Sequence, residues 1–194
     1  MKKIILAFFF LFFSSTLVAK DILEYEIEGM SIGDSLLDFL SEQEILMPMD
    51  KKFTWPNSKE YFQIAYNMNS KHYDMISFTL QENDNRYIIH SISGIKEFKK
   101  DFDKCDNFKK ERIKNIGLYF PNITPNNYEY IYKNVDDGKS ISYISDFQLN
   151  NGSIRIYCQD WSSVSENKRK WVDEGRVEII TQYIGDWLKI ANQN

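Results

Sequence analysis

The chain lacks the short motifs by which most enzymes are recognised. Its only histidines, His72 and His90, stand in different contexts without the spacing of a zinc site. No Gly-x-Ser-x-Gly turn is present to carry a nucleophilic serine. Gly138-Lys139-Ser140 matches the end of a phosphate-binding loop, but Lys133 stands where that loop needs its first glycine. The sequence therefore predicts no catalytic residue, no metal site and no cofactor.

An excess of positive charge is also missing. The full chain has 24 basic and 28 acidic residues. Without Lys2 and Lys3, which we assign to a removed leader below, 22 basic residues remain and the net charge is −6. Because binding to the phosphate backbone depends on clustered Lys and Arg, this balance argues against a nucleic-acid partner.

Cysteine is scarce, with Cys105 and Cys158 the only two. Their wide separation excludes a Cys-x-x-Cys redox motif and a thiolate metal site. In an exported chain an even number of cysteines is typical of disulfide bonding, and two cysteines allow one bridge. We therefore predict a Cys105–Cys158 disulfide, with two buried free thiols as the alternative.

The N-terminus has the pattern of a secretory signal peptide. Lys2 and Lys3 precede an apolar run at 4–13, and smaller residues lead to Ala19. The run is shorter than the roughly 20 apolar residues that span a bilayer, and no cysteine follows it to carry a lipid. These features predict a signal peptide over 1–19, a single domain over 20–194 and a periplasmic or secreted protein with no stable membrane insertion after signal removal. An uncleaved N-terminal anchor is the alternative.

Hydrophobic periodicity predicts the elements of the N-terminal half. A helix is expected after Ser31 or Asp34, with leucines at 36, 37 and 40 on one face. Residues 47–70 indicate an extended crossing with one short strand. Alternating apolar residues predict a hairpin of strands over 76–80 and 86–95, and a helix follows from Asp101 to near Gly117.

In the C-terminal half, residues 122–139 are interpreted as a long surface loop. A hairpin is expected around Asn150-Asn151-Gly152, where Asn-Gly favours a type I′ turn. A last strand covers 176–181 and an amphipathic segment follows. Hairpins outnumber crossovers, so we predict an α+β fold: an antiparallel sheet of about five strands with helices packed on one face. Cys105 and Cys158 both point into the layer between helix and sheet, as a helix-to-sheet disulfide requires.

Aromatic residues form the one candidate binding site. Tyr128, Tyr130 and Tyr132 fall in the predicted loop, and Trp161 with Trp171 follows later in the chain. Such side chains line many ligand grooves. The alternative is that they pack the loop onto the sheet.

Several segments together resemble a group of exported proteins from Pelagibacter-like marine alphaproteobacteria. The resemblance rests on Ile27-Glu28-Gly29-Met30-Ser31-Ile32-Gly33-Asp34-Ser35-Leu36, Ile92-Ser93-Gly94-Ile95, Asp103-Lys104-Cys105, Gly138-Lys139-Ser140, Tyr157-Cys158-Gln159-Asp160-Trp161 and Asp186-Trp187-Leu188. That group has no assigned activity, so the resemblance implies export and no catalytic residues. Gly29-Met30-Ser31 is also similar to the helix start of BamE-type outer-membrane assembly lipoproteins, although this chain is longer and lacks their lipid-bearing cysteine.

Three functional hypotheses remain at this point. The first is a non-enzymatic periplasmic or secreted binding module with an envelope or extracellular protein as its partner. The second is a small-ligand-binding protein that uses the aromatic loop. The third is a hydrolase whose motif is not recognised. The sequence does not fix the oligomeric state.

Overall fold

The computed structural model describes residues 21–49, 52–68 and 70–191. The predicted signal peptide lies outside these residues. The described chain forms one antiparallel sheet of eight strands with four α-helices, so the α+β class is as predicted. The expected number of about five strands was wrong.

Helices and strands alternate irregularly along the chain. The α-helices are α1 (Glu42–Leu46), α2 (Phe102–Tyr119), α3 (Ser163–Arg169) and α4 (Gln182–Ala191), and short 3-10 helices cover Ile22–Glu24 and Leu36–Asp38. The strands are β1 (Phe53–Trp55), β2 (Ser58–Asn67), β3 (Met75–Gln81), β4 (Ser91–Glu97), β5 (Asn126–Ile131), β6 (Ile141–Leu149), β7 (Gly152–Asp160) and β8 (Glu174–Thr181). They lie in the order β1-β2-β3-β4-β8-β7-β6-β5, and every neighbouring pair is antiparallel.

The main core lies between one face of the sheet and α2. Successive strand residues point to opposite faces, so alternate apolar residues of the central strands share this side. Phe108 and Ile116 of α2 pack into the same cluster. The strand residues that contribute to it include Phe62, Ile64, Ile76, Phe78, Leu80, Ile92, Phe147, Ile154, Ile156, Val177 and Ile179.

The opposite face is covered at one end by α4. Ile180, which follows Ile179 and therefore points the other way, belongs to a second apolar cluster. In it Trp187 of α4 makes edge contacts with Trp55 and Tyr61, with ring centroids 4.9 Å apart in each pair. The prediction that helices pack on one face was therefore wrong. α4 begins directly where β8 ends, and its apolar residues Ile184, Trp187 and Ala191 pack on the face that α2 does not cover.

The first predicted helix is present only as the 3-10 turn Leu36–Asp38. Ser35 caps it by accepting a hydrogen bond from the Leu37 backbone amide. Leu36 is buried but Leu37 is 42% exposed, so the expected shared apolar face does not form. The helix that follows, α1, begins instead at a capping box between Ser41 and Glu44.

A disulfide joins α2 to the sheet. Cys105 of α2 and Cys158 of β7 are bonded, with Cα atoms 5.8 Å apart and both residues 1% exposed. This Cα separation falls in the usual range for disulfides. The bridge ties the only long helix of the described chain to the centre of the C-terminal half of the sheet.

No helix in the described ranges combines the length and apolar character that crossing a membrane requires.

Candidate binding surface

The candidate surface lies on the side of β5–β8 that faces away from α2, which we call the open face. Cys158 points to α2, so its neighbours Tyr157 and Gln159 point to the open face. Ser142 pairs with Gln159, and Tyr130 pairs with Ser142. Tyr128 and Tyr130 therefore lie on the open face too. The predicted surface loop was wrong here, because residues 126–131 form the edge strand β5.

Four aromatic side chains form a continuous row at the edge of the open face. The ring centroids are 4.8 Å apart for Tyr130 and Tyr132, 5.3 Å for Tyr132 and Trp161, and 4.2 Å for Trp161 and Trp171. The Arg169 guanidinium lies 4.6 Å from the Trp171 ring centroid and ends the series as a cation–π contact. We call Tyr130, Tyr132, Trp161 and Trp171 the aromatic row.

The structure thus brings three of the four predicted ligand-binding residues into contact and leaves Tyr128 outside the row. Tyr128 shares the strand and the face, but its electrostatic neighbours are Arg155 and Asp146. Burial raises the pKa of the Tyr128 hydroxyl, and the nearby Arg155 partly opposes that shift.

Hydrogen bonds hold the inner part of the row. The Tyr132 hydroxyl donates to Gln159 Oε1 at 2.9 Å and lies 3.1 Å from Ser142 Oγ. The backbone amide of Trp161 donates to Asp173 Oδ1 at 2.8 Å. Tyr130, by contrast, is 54% exposed. Hydrogen bonds therefore hold Tyr132 and Trp161 in the middle of the row, whereas Tyr130 at its end is exposed to solvent.

A buried carboxylate anchors α3, which carries Arg169 to the end of the row. Asp136, in the turn between β5 and β6, lies 2.7 Å from Arg169 Nε and 2.9 Å from Lys168 Nζ. Ser165 Oγ donates to the same carboxylate at 3.0 Å. These groups, the Arg169 contact foremost, hold the pKa of Asp136 well below its ordinary value. The ion pairs connect the turn between β5 and β6 to α3, and Arg169 connects α3 to the aromatic row.

Neutralising this carboxylate should make the protein less stable at neutral pH and leave acid stability unchanged. A depressed carboxyl pKa contributes stability above the ordinary value of 3.8, and that contribution is lost as the pH falls below it. We expect Asp136→Asn to lower the melting temperature at pH 7, with the difference from the native chain shrinking below about pH 4. Circular dichroism melting curves across pH measure this, and the exposed Asp38 supplies the control Asp38→Asn. A melting difference that stays constant with pH would contradict the assignment.

Two arginines occupy the centre of the open face. Arg155 Nε lies 3.5 Å from Asp146 and Arg155 Nη1 lies 3.7 Å from Glu178, both longer than a good hydrogen bond. Arg176 pairs more tightly with Glu174, at 2.6 Å. These groups were missed in the sequence, although the alternation that places Ile154 and Ile156 in the core also places Arg155 and Tyr157 on the other face.

A hollow of about 530 Å³ adjoins the outer end of the aromatic row. It is lined by residues 129–135, the end of β5 and the turn that follows. Because consecutive residues of a strand point to opposite faces, this lining includes side chains from both faces of β5. The hollow therefore extends along the edge of the sheet rather than into its core.

The two histidines do not contribute to this surface. His72 Nδ1 lies 3.3 Å from the Arg112 guanidinium, and the His90 ring makes an edge contact with Tyr61 at 5.0 Å. Burial lowers the pKa of His90. No group of three or more His, Cys, Asp or Glu suited to a metal ion occurs within the described ranges.

No family model matches the chain, and no curated protein or solved structure matches it either. The resemblance to exported proteins of Pelagibacter-like bacteria therefore stays a prediction.

Proposed function

We propose that the protein is an exported, non-enzymatic binding module whose binding surface is the aromatic row. The observation that carries the proposal is a continuous series of four aromatic rings that ends at the half-exposed Tyr130 beside an open hollow. Tyr and Trp present a large, rigid apolar area with a polar tip, and they are enriched where proteins bind one another.

The export part of the proposal has two independent supports. The N-terminal segment has the charge and length of a secretory signal. The pairing of both cysteines suits an oxidising compartment such as the periplasm or the extracellular space.

A protein of the envelope or the extracellular space is the partner we favour. Sites for small molecules enclose most of the ligand surface, whereas this hollow runs along a sheet edge. The exposed Tyr128 lies on the same face of β5 and extends the aromatic surface along the strand, away from the hollow. An extended, partly aromatic surface is better suited to another protein.

Removing the outermost ring should abolish most of the binding. A photo-crosslinking amino acid at position 130 identifies the partner in envelope extracts, and the affinity of that partner is then measured by titration. We expect Tyr130→Ala to weaken binding at least tenfold, because exposed aromatic anchors dominate interface energies.

The matched control is Tyr183→Ala. Tyr183 is the same residue type, 59% exposed, and lies on α4 away from the row. The Tyr183→Ala variant should bind the partner with the affinity of the native chain. Equal losses in both variants, or crosslinks at 183 but none at 130, would contradict the placement of the surface.

A small ligand is the second candidate, favoured by the volume of the hollow. Thermal-shift measurements with sugars, amino acids and osmolytes test it, since a ligand that binds the folded state raises the melting temperature. A shift that is present in the native chain and absent in Tyr130→Ala would select this function. No shift across the panel would count against it.

A further inference from the structure

The outer edge of β5 is available for pairing over a defined length. β5 is exposed at every position and lies at the end of the described sheet, beside β6. Pro125, directly before the strand, has no N–H to donate, and the Lys133 amide just after it already donates to the Ile131 carbonyl at 3.0 Å. The edge that remains available for another strand therefore runs from Asn127 to Ile131.

Alternate residues of this edge direct their backbone groups outward. The Tyr132 amide donates at 3.0 Å to the carbonyl of Ser140, the residue before β6. In an antiparallel ladder such bonded pairs recur at every second residue, so the even-numbered residues of β5 bond to the β6 side. Asn127, Glu129 and Ile131 therefore direct their N–H groups away from the sheet, and the first two also present their carbonyl oxygens there.

The charge along this edge is negative and unmatched. None of the ion pairs formed among the described residues includes Glu129 or Asp160. Tyr143 of β6 pairs with Glu129, and its hydroxyl pKa is raised by burial first, and then by the carboxylates of Asp160 and Glu129. Both carboxylates therefore lie near Tyr143, and a strand added beside β5 meets this negative charge.

A second copy of the chain does not suit such an edge. Antiparallel self-pairing over residues 127–131 places its two-fold axis at Glu129 and opposes two carboxylates, which destabilises paired strands. A lysine or arginine opposite Glu129 gains a cross-strand ion pair instead. Because successive residues of a strand alternate between faces, the two neighbours of that cation lie on the open face beside Tyr128 and Tyr130, where apolar side chains pack best.

We propose that residues 127–131 bind an extended, basic segment of the partner protein as an added antiparallel strand. The inference rests on the proposed function, because the added strand places apolar residues against Tyr130 of the aromatic row. The hollow lined by residues 129–135 extends along the same edge and leaves space for the strand. In this mode of recognition main-chain bonds supply affinity and alternate side chains supply specificity. The segment has lysine or arginine between two apolar residues.

A synthetic peptide tests the charge requirement without the natural partner. The probe is a labelled peptide of alternating valine and lysine, titrated against the purified protein by fluorescence anisotropy. We expect Glu129→Lys to weaken its binding by about tenfold, and to bind a peptide of alternating valine and glutamate in its place. Glu26→Lys makes the same charge change at an exposed position outside the sheet, and this control should bind the probe with native affinity.

Backbone methylation of the probe distinguishes an added strand from simple charge attraction. The lysine opposite Glu129 directs its N–H toward β5, whereas the valine N–H groups point away. N-methylated lysines should therefore abolish binding, and N-methylated valines should preserve it. In the bound protein the amides of Asn127, Glu129 and Ile131 should become protected from hydrogen exchange, while those of Tyr128 and Tyr130 are already protected by β6.

Four results would overturn the proposal: no binding of the probe, equal effects of the two methylated peptides, binding without protection of the outward amides, or a dimer of the native chain that forms through this edge. The proposed function is judged separately. A partner that crosslinks at position 130 but leaves the outward amides unprotected retains the aromatic row as the binding surface and removes the added strand. Probe binding that is unchanged in Tyr130→Ala, with no partner crosslinked at position 130, removes the aromatic row and retains the strand site.

Discussion

The double variant Cys105→Ala/Cys158→Ala is expected to lose about 4 kcal/mol of the free energy of unfolding. The bridge spans 53 residues of sequence, and closing a loop of that length removes much of the conformational freedom of the unfolded chain. For a domain of this size the loss corresponds to a melting temperature lower by about 10 °C. Urea denaturation and thermal melting measure the two quantities. Alanine is chosen because both positions are buried and a hydroxyl would lack a partner there.

Reduction of the native chain is the control for this prediction. A reducing agent should bring the native protein to the stability of the double variant and should not change the variant itself. A native chain whose stability is insensitive to reduction would show that the two sulfurs are not bonded in solution. The single variant Cys105→Ala, which leaves the Cys158 thiol free, should behave like the double variant under reducing conditions.

The elements that the sequence predicts well are those with one buried side. In β7 the apolar residues Ile154 and Ile156 alternate with polar ones, and α2 has Cys105 and Phe108 at helical spacing. Each of these elements packs one face on the core, so the spacing of its apolar residues predicts whether it is a strand or a helix. The apposition of the two cysteines follows from the same patterns.

Elements without such a pattern were missed. β5 is exposed along its whole length, so no alternation distinguishes it from a loop. β4 is not among them: the strand predicted over 86–95 is present at Ser91–Glu97, displaced toward the C-terminus. The position of α4 depends on the second apolar cluster, which forms from residues far apart in sequence.

The candidate surface was predicted in part. The spacing of two between Tyr128, Tyr130 and Tyr132 is the signal of a shared strand face, although it was interpreted as a loop. The contact of Trp161 with Trp171 depends on α3 ending at Lys170, whose backbone has the left-handed φ of 61°. Arg169, the last residue of α3, pairs with Asp136, which lies 33 residues earlier in the chain. The residues near α3 alone do not predict such a contact.

The hairpin between β6 and β7 was predicted at the right place for the wrong reason. A type I′ turn requires positive φ at both central residues. In the structure Leu149 pairs with Gly152, and neither Asn150 nor Asn151 of the intervening turn has a positive φ. The glycine is therefore not needed for that turn type. It is needed because the chain passes close to β8.

Gly152→Ala is accordingly expected to destabilise the fold by about 3 kcal/mol, the upper part of the range for an overpacked core. A Cβ atom at this position would lie 2.2 Å from the Ile180 carbonyl oxygen and 2.8 Å from Ile22 Cδ1. The Ile180 backbone oxygen, held in the β8 ladder, cannot rotate away as the end of a side chain can. Either β7 and β8 separate locally or the 3-10 helix at Ile22–Glu24 is displaced.

Alanine at Gly185 should instead raise the free energy of unfolding. Gly185 lies inside α4, and a Cβ there meets nothing within 4 Å. Alanine in a helix interior is favoured over glycine by roughly 0.5–1 kcal/mol, so Gly185→Ala should stabilise the protein by that amount. Urea denaturation of both variants at equal concentration gives the comparison. If Gly152→Ala is as stable as the native chain, the close approach of Gly152 to the Ile180 carbonyl oxygen is wrong.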